Sequence, residues 1–247
     1  MASFSFANRA DDPFGGGLPL AVLALLLTLV GFFPSFANPA ELDAWHLVHG
    51  IAATGWIGLV IVQALLIRSR LFRAHRLLGW SSLALFAVLI VTSLKLVLIM
   101  LSGASGMPFA MACLLGFSDL ATMPLFVFLY AVALLQRRDR HVHSRLVSGT
   151  LLVGMLPAAG RIFAFRIPVF GGLAGALHPT YLLVLTVIAV AIIIDRRRGK
   201  LRWPYPLMFI WFAAVYAALF PISGSQWFEN FARSLVAMES GPFEEKN

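Results

Sequence analysis

Apolar residues gather in seven long runs along the chain, and short polar stretches separate the runs. A helix needs about 20 residues to cross a hydrocarbon layer roughly 30 Å thick, and each run comes close to that length. No run shows the alternation of a barrel strand, and lipid cannot satisfy free backbone polar groups, so each run predicts a transmembrane helix. The predicted spans are 18–36, 45–67, 78–101, 117–136, 146–165, 177–194 and 206–222.

The polar stretches alternate in charge, and this alternation predicts the orientation of the bundle. The stretches after the second, fourth and sixth spans are basic: RSRLFRAHR (68–76), RRDRHVHSR (137–145) and DRRRGKLR (195–202). The intervening stretches carry two acids (37–44) or no charge (102–116). Because basic loops stay on the cytoplasmic side, we predict a cytoplasmic N-terminal tail over 1–17 and a C-terminus outside.

The two ends of the chain allow further predictions. The first span could be a cleaved signal peptide, but Asp11 and Asp12 precede it and its apolar run is long, which favours a retained helix. Apolar side chains within 223–247 recur at close to helical spacing, which predicts a short amphipathic helix on the outer surface. They are Trp227, Phe228, Phe231, Leu235 and Met238.

Composition favours an all-α integral membrane protein whose single domain covers 18–222. Hydrophobic residues make up 60% of the chain and charged residues 12%, whereas a soluble domain is about half apolar and about a quarter charged. The only cysteine, Cys113, excludes an internal disulfide and a cysteine-based zinc or iron–sulfur site. The net charge of +8 resides largely in the loops, so the positive-inside pattern accounts for it and no nucleic-acid partner is expected.

Ionisable residues at one predicted depth are the most informative feature of the spans. Such groups are costly in a membrane, so they usually face the bundle interior and pair with one another. By the predicted topology, Lys95 lies about 9 Å inside the outer end of its span, and Asp119 lies in the first turn of its own. The full set near the outer end is His46, His49, Lys95, Asp119, Arg161 and His178.

Each of these residues also has a simpler interpretation. Lys95 and Arg161 could extend to the headgroups, and His46 could contact only water. Asp119 could cap the N-terminus of its helix, or form a purely structural pair with Arg161. Their shared depth favours one common polar site over several independent coincidences.

Helical spacing adds two shared faces to this picture. His49, Trp56 and Gln63 are seven residues apart and therefore lie on one face of the second span. His143 and Arg161 are 18 residues apart, which is five whole turns, so they share a face of the fifth span. Both faces are expected to point into the bundle.

Paired histidines could ligate haem b across the bundle. His49 with His178 near the outer surface and His75 with His143 near the inner one would make two bis-histidine sites in a transmembrane electron path. Lys95 and Arg161 could then neutralise haem propionates, and respiratory-chain membrane proteins would be the partners.

Two other ligands compete with haem for these residues. The outer set could hold a zinc or copper ion through four side chains: His46, His49, Asp119 and His178. For the inner set, a membrane phospholipid is the favoured ligand, with its phosphate bound by His75, Arg76, His143 and Arg145.

The segments HRLLGW (75–80) and HSRLVSGTLLVGMLPAAGR (143–161) resemble a family of bacterial multipass membrane proteins of unknown function. The family pattern has His-Arg-x-x-Gly at the start of one helix, then His-x-Arg and a deep arginine in a later one. The resemblance covers 45 to about 165 and implies a bacterial inner-membrane location. It marks His49, His75, Arg76, Gly79, His143, Arg145 and Arg161 but supplies no activity. A weaker likeness to di-haem transmembrane cytochromes b rests on the histidines alone.

Three functions therefore remain open, and the sequence does not decide whether the protein is an enzyme. The first is haem or metal binding for electron transfer or respiratory-complex assembly. The second is a transporter-like or sensory module that holds a lipid or anion through Lys95, Arg161 and Arg166. The third is a zinc-dependent membrane hydrolase in which Glu41 or Asp43 would be the general base.

Overall fold

A computed structural model describes residues 17–240, and the described chain is built from α-helices joined by short loops. The helices are α1 (Leu18–Gly31), α2 (Phe33–Ala37), α3 (Ala44–Arg68), α4 (Phe72–Leu101), α5 (Phe109–Leu135), α6 (Arg140–Arg166), α7 (Leu173–Arg197), α8 (Pro204–Ser223) and α9 (Gln226–Ser240). Two short 3-10 turns, Pro39–Glu41 and Pro168–Phe170, lie in the loops before α3 and α7.

Six of the described helices, α3 to α8, are long and apolar enough to cross a membrane. The chain is therefore a multi-pass helical membrane protein, as the apolar runs predict. The first predicted span differs, because the run over 18–36 is divided into the 14-residue helix α1 and the five-residue helix α2. Pro34 stands in the first turn of α2, where its fixed φ suits a new helix start.

Several helices extend beyond the apolar runs that predicted them, and this changes the depth of one key residue. α5 begins at Phe109, directly after Pro108, and not at residue 117. Asp119 is thus ten residues into the helix, about 15 Å along its axis. The interpretation of Asp119 as a helix N-cap is wrong, because Pro108 holds that position.

Within the described chain, α3 and α6 are the helices whose N-cap side chain accepts hydrogen bonds from backbone N–H groups, and in both the N-cap residue is an aspartate. The carboxylate of Asp139 accepts hydrogen bonds from the backbone N–H groups of Val142 and His141 at the start of α6. The bond from Val142 is the main cause that lowers the pKa of Asp139. Asp43 makes the same contacts at the start of α3.

α6 is the central helix of the bundle and packs against α1, α5, α7 and α8. α3 pairs with α4 and also packs on α1, while α4 makes no substantial contact with α6. α1 runs alongside α6 in the same direction, since Gly17 lies near Ser148 and Gly31 lies against Ala158. We call the end where α4, α6 and α8 begin the basic end, and the opposite end the distal end.

α9 lies at the distal end and packs against α4, α5 and α8. Phe228 is buried against Phe117, while Trp227 and Met238 are exposed. The structure thus has an amphipathic helix over most of the segment that predicts one, and residues 241–247 lie outside the described part of the chain.

Candidate functional site

Four helices, α3 to α6, each turn one stripe of residues toward a common line, which we call the central seam. On α3 the stripe runs through His49, Trp56 and Gln63, the face indicated by their spacing. On α6 it runs through Thr150 toward Arg161. Contacts from α3 to α4, α5 and α6 meet at Trp56, so this residue marks the middle of the seam.

Four aromatic side chains, Trp56, Phe86, Phe126 and Tyr130, close the middle of the seam, and we call them the aromatic layer. The ring of Trp56 lies 5.2 Å from that of Tyr130 and 5.4 Å from that of Phe126, centroid to centroid. Phe86 stacks on Phe126 at 5.7 Å and on Tyr130 at 4.5 Å. The Trp56 indole N–H donates a 3.1 Å hydrogen bond to Thr150 Oγ1, so the layer is fixed to α6 as well.

On the distal side of this layer, Asp119 faces a recess in the bundle. The side chain of Asp119 is exposed, although it lies ten residues into α5 and near enough to Arg161 of α6 for electrostatic interaction. It therefore borders a space beside α6 that protein atoms do not fill. On the distal side of Thr150, α6 likewise exposes Gly154 and Pro157, although most of its spanning residues are buried. We call this space the recess.

Arg161 lies on the α6 side of the recess, one turn beyond Pro157. Its guanidinium lies 4.1 Å from the centre of the Phe32 ring, a cation–π contact, and donates a long 3.4 Å bond to the Pro157 carbonyl. It is near enough to interact electrostatically with Asp119 and with His49. No ion pair joins Asp119 and Arg161 within 4.0 Å in the described residues, so the predicted direct pair does not form.

His49 presents a free nitrogen on the α3 side of the recess. Its Nδ1 lies 3.0 Å from Thr92 Oγ1, and the Thr92 hydroxyl donates its single hydrogen to the Val88 carbonyl at 2.7 Å. Thr92 must therefore accept from Nδ1–H, which leaves Nε2 of a neutral His49 as an acceptor. This Nε2 has no hydrogen-bond partner in the described chain and is not closed off from solvent.

Two residues predicted for the same site have other partners. The His46 imidazole lies 2.5 Å from the Asp43 carboxylate at the exposed start of α3. The backbone N–H of His46 is the main cause that lowers the pKa of Asp43, so Asp43 acts as a cap. Lys95 forms an ion pair with Glu239 of α9 and lies 5.7 Å from the centre of the Trp45 ring.

His178 is also separate from the recess. Its Nδ1 lies 2.8 Å from the Tyr216 hydroxyl, and its ring stacks on Phe220 with centroids 4.8 Å apart. Both partners belong to α8, whereas His49 is bound to α4. His49 thus connects α3 to α4, whereas His178 connects α7 to α8.

The four predicted metal ligands are not gathered at one point. Within residues 17–240, no group of three or more His, Cys, Asp or Glu side chains is arranged to hold a metal ion. The reason is that Asp43 engages His46 and α8 engages His178. Glu41, considered as a general base, ends an exposed 3-10 turn before α3.

At the basic end, Arg145 forms a buried ion pair. Its Nε and Nη2 donate two 2.7 Å bonds to the carboxylate of Asp195 on α7, and both side chains are fully buried. A third bond of 2.8 Å goes to the His141 carbonyl. The predicted role of Arg145 in a lipid-binding collar is therefore wrong, while Arg76 is exposed at the start of α4.

His75, Gln63 and His143 lie on the seam between the aromatic layer and the basic end, and we call them the basic-end cluster. His75 lies beside the Gln63 backbone and interacts electrostatically with His143, while the Gln63 amide lies beside Gly79. Nδ1 of His143 donates a 2.8 Å bond to the Ala133 carbonyl. Gln63 thus belongs to this cluster and not to the recess.

Sequence reasoning missed the uncharged partners of the seam, above all Thr92, Thr150, Ser82 and Tyr130. Helical spacing could have identified the first two. Thr92 lies three residues from Lys95 and Thr150 lies two turns from His143, so each shares a helix face with a predicted site residue. It also missed Asp195 and Glu239, which stand in polar stretches that read as loop and tail.

No protein-family model, curated protein or solved structure matches this chain. The resemblance to a family of unknown function therefore stays a prediction.

Proposed function

We propose that this chain is a transporter-like or sensory protein of the bacterial inner membrane, and that its recess binds a ligand with one anionic and one ammonium group. The observation that carries the proposal is that Asp119 and Arg161 carry opposite charges near one another without forming an ion pair. They face one recess and interact electrostatically, yet no direct ion pair joins them.

The energetics favour a ligand that carries both charges. Ionisable groups inside a membrane are costly and normally find partners. A phosphate or carboxylate could take the guanidinium of Arg161, and an ammonium group could donate to Asp119 and to the free Nε2 of His49. A ligand with one charge would leave the other side chain unpaired. Free amino acids, phosphoethanolamine and the headgroup of phosphatidylethanolamine share the required chemistry.

The proposal includes seven crossings, with the basic end in the cytoplasm and the recess open to the outer side. The charge pattern of the loops supports it. The direction of α1 supports it as well, because α1 runs parallel to α6 and so points its N-terminal end toward the basic end.

The test uses purified, delipidated protein and isothermal titration calorimetry. Three probes are compared: O-phosphoethanolamine, inorganic phosphate and ethanolamine. We expect O-phosphoethanolamine to bind at least about tenfold more tightly than either single-charge probe, since one charge-assisted hydrogen bond contributes about 1.5–3 kcal/mol. A parallel arm uses native mass spectrometry to compare retention of phosphatidylethanolamine and phosphatidylglycerol, which separates a lipid headgroup from a free ligand.

Matched variants locate the site. Asp119→Asn and Arg161→Gln should each lower affinity about tenfold or more, whereas Arg166→Gln, at the end of the same helix, should not. Gly154→Leu should block the recess. Nothing lies within 4 Å of a Cβ at this position, so a leucine side chain is free to extend into that space. Gly58→Leu is its control, because Gly58 is equally unhindered on α3. Equal binding of phosphate and O-phosphoethanolamine, or failure of every probe and lipid to bind, would overturn the proposal.

Haem binding is a second candidate, favoured by one observation. His49 is oriented by Thr92 so that Nε2 is available, which is how the second hydrogen bond of a ligating histidine usually works. His49 would be the axial ligand, and Arg161 would face a propionate. Protein purified from haem-replete cells should then show a Soret band that His49→Ala removes, and its absence would exclude this candidate.

A further inference from the structure

The basic-end cluster contains hydrogen-bonding atoms without partners in the interior of the protein. Oε1 of Gln63 and Nδ1 of His75 are buried and have no hydrogen-bond partner in the described chain. Buried polar atoms are normally satisfied, so each exception requires a physical explanation. These two atoms lie on adjacent helices of one seam, so the same explanation should cover both.

The cluster is rich in acceptors. Gln63 Oε1 accepts only, and His143 keeps Nε2 as an acceptor because its Nδ1–H donates to the Ala133 carbonyl. Nδ1 of His75 can accept as well. A group with several N–H donors, such as a primary ammonium, would satisfy them together.

A short polar chain leads from the cluster to the aromatic layer. The Ser82 hydroxyl donates to the Gly79 carbonyl at 2.5 Å, so Tyr130 O–H must donate to Ser82 Oγ at 2.6 Å. Gly79 is also the neighbour of the Gln63 amide. The ring of Tyr130 belongs to the aromatic layer, and the recess lies on the other side of that layer. Polar groups therefore approach the layer from both ends of the seam.

We propose that Gln63, His75 and His143 form a second site, which receives the ammonium group of the recess ligand after it passes the aromatic layer. The protein is then a carrier, and the aromatic layer is the barrier in its closed state. This inference rests on the proposed function, because it takes its ligand from there.

The experiment measures transport and binding separately. Wild-type protein in phosphatidylglycerol–phosphatidylcholine vesicles is assayed for uptake of radiolabelled O-phosphoethanolamine and, in a second arm, for flipping of acyl-labelled phosphatidylethanolamine. We expect one of these activities. His75→Ala and Gln63→Leu should lower its rate at least about tenfold while affinity at the recess, measured by calorimetry, stays within about twofold. His141→Gln is the control at the same end, since the His141 carbonyl that accepts from Arg145 belongs to the backbone and is kept in this variant.

A second pair of variants tests the barrier. Phe126→Ala should raise passive leak of the probe about tenfold, whereas Phe128→Ala, on the exposed side of the same helix, should not. If wild-type protein binds the probe or lipid but moves neither, the second site is wrong and the proposed function stands. If nothing binds at the recess, both fall. Equal rates for His75→Ala and His141→Gln would overturn the second site alone.

Discussion

At the scale of single residues, Asp195 shows why the sequence does not predict the partner of Arg145. It opens the stretch DRRRGKLR, which reads as a charged loop. α7 instead continues to Arg197, so Asp195 is inside the helix and faces Arg145. A charged residue near the end of an apolar run can belong to loop or helix, and only its partner on another helix decides. Arg145 was expected among the basic-end residues, but its partner was not.

This buried pair predicts a large loss of stability when one member is removed. Arg145→Ala should destabilise the protein by about 3–5 kcal/mol, because it leaves Asp195 charged and buried. The buried thiol of Cys113 provides the measurement, since a thiol-reactive fluorescent dye reports its exposure on heating.

The controls separate charge from packing. Arg196→Ala, at the exposed position next to Asp195, should leave the melting temperature nearly unchanged. The double variant Arg145→Leu with Asp195→Leu should recover much of the loss, since two apolar side chains leave no orphan charge. A single variant that melts like the wild type would contradict this account of the pair.

At the scale of helices, apolar runs located the membrane crossings well and their ends poorly. Six of the seven predicted spans are long helices. α4 and α6 each begin about six residues before the predicted span, because charged residues at a membrane surface continue a helix freely. The run over 18–36 is too uniform in hydrophobicity to show that a separate helix starts at Phe33, with Pro34 in its first turn. Composition alone does not predict the position of α1 in the bundle, since that position depends on close contact with α6.

That contact predicts a position where one methyl group should matter. A Cβ on Gly31 would lie 2.5 Å from the carbonyl oxygen of Ala158, and backbone cannot move aside easily. Gly31→Ala should therefore lower stability by about 1–3 kcal/mol, the usual cost of overpacking. The same dye assay measures it. Gly50→Ala is the control, because nothing lies within 4 Å of a Cβ there, and equal melting temperatures for both variants would refute the close approach.

At the scale of the whole molecule, the seam was only partly visible in the sequence. Heptad spacing placed His49, Trp56 and Gln63 on one face, and whole turns aligned His143 with Arg161. Spacing within a helix cannot show which stripes of different helices meet, so His178 and Lys95 were assigned to the recess although α8 and α9 engage them. Spacing predicts depth along the helices for most of these residues, though not for Asp119, whose helix begins earlier than its apolar run; it does not predict rotation about the bundle axis.

The proposed orientation predicts a labelling pattern for the whole chain. In a Cys113→Ala background, Ser69→Cys and Gln136→Cys at the basic end should resist a membrane-impermeant maleimide in intact spheroplasts. Ser102→Cys and Ser225→Cys at the distal end should react. Disruption of the membrane should expose all four, which controls for local accessibility. Labelling of residue 69 or 136 in intact cells would reverse the orientation.

The pairing of α1 with α6 has a consequence for how the protein is made. A 14-residue apolar helix is too short to cross a bilayer comfortably by itself. Its main neighbour, α6, is synthesised only after α3, α4 and α5 have left the ribosome, since translation proceeds from the N-terminus. The nascent chain therefore has to keep α1 at the membrane, partly supported by α3, until α6 arrives. In ribosome-stalled intermediates, α1 should be extracted from the membrane more readily when the chain ends before α6 than when it ends after α6. The synthesis of α6 is then the step that fixes α1 in the bundle.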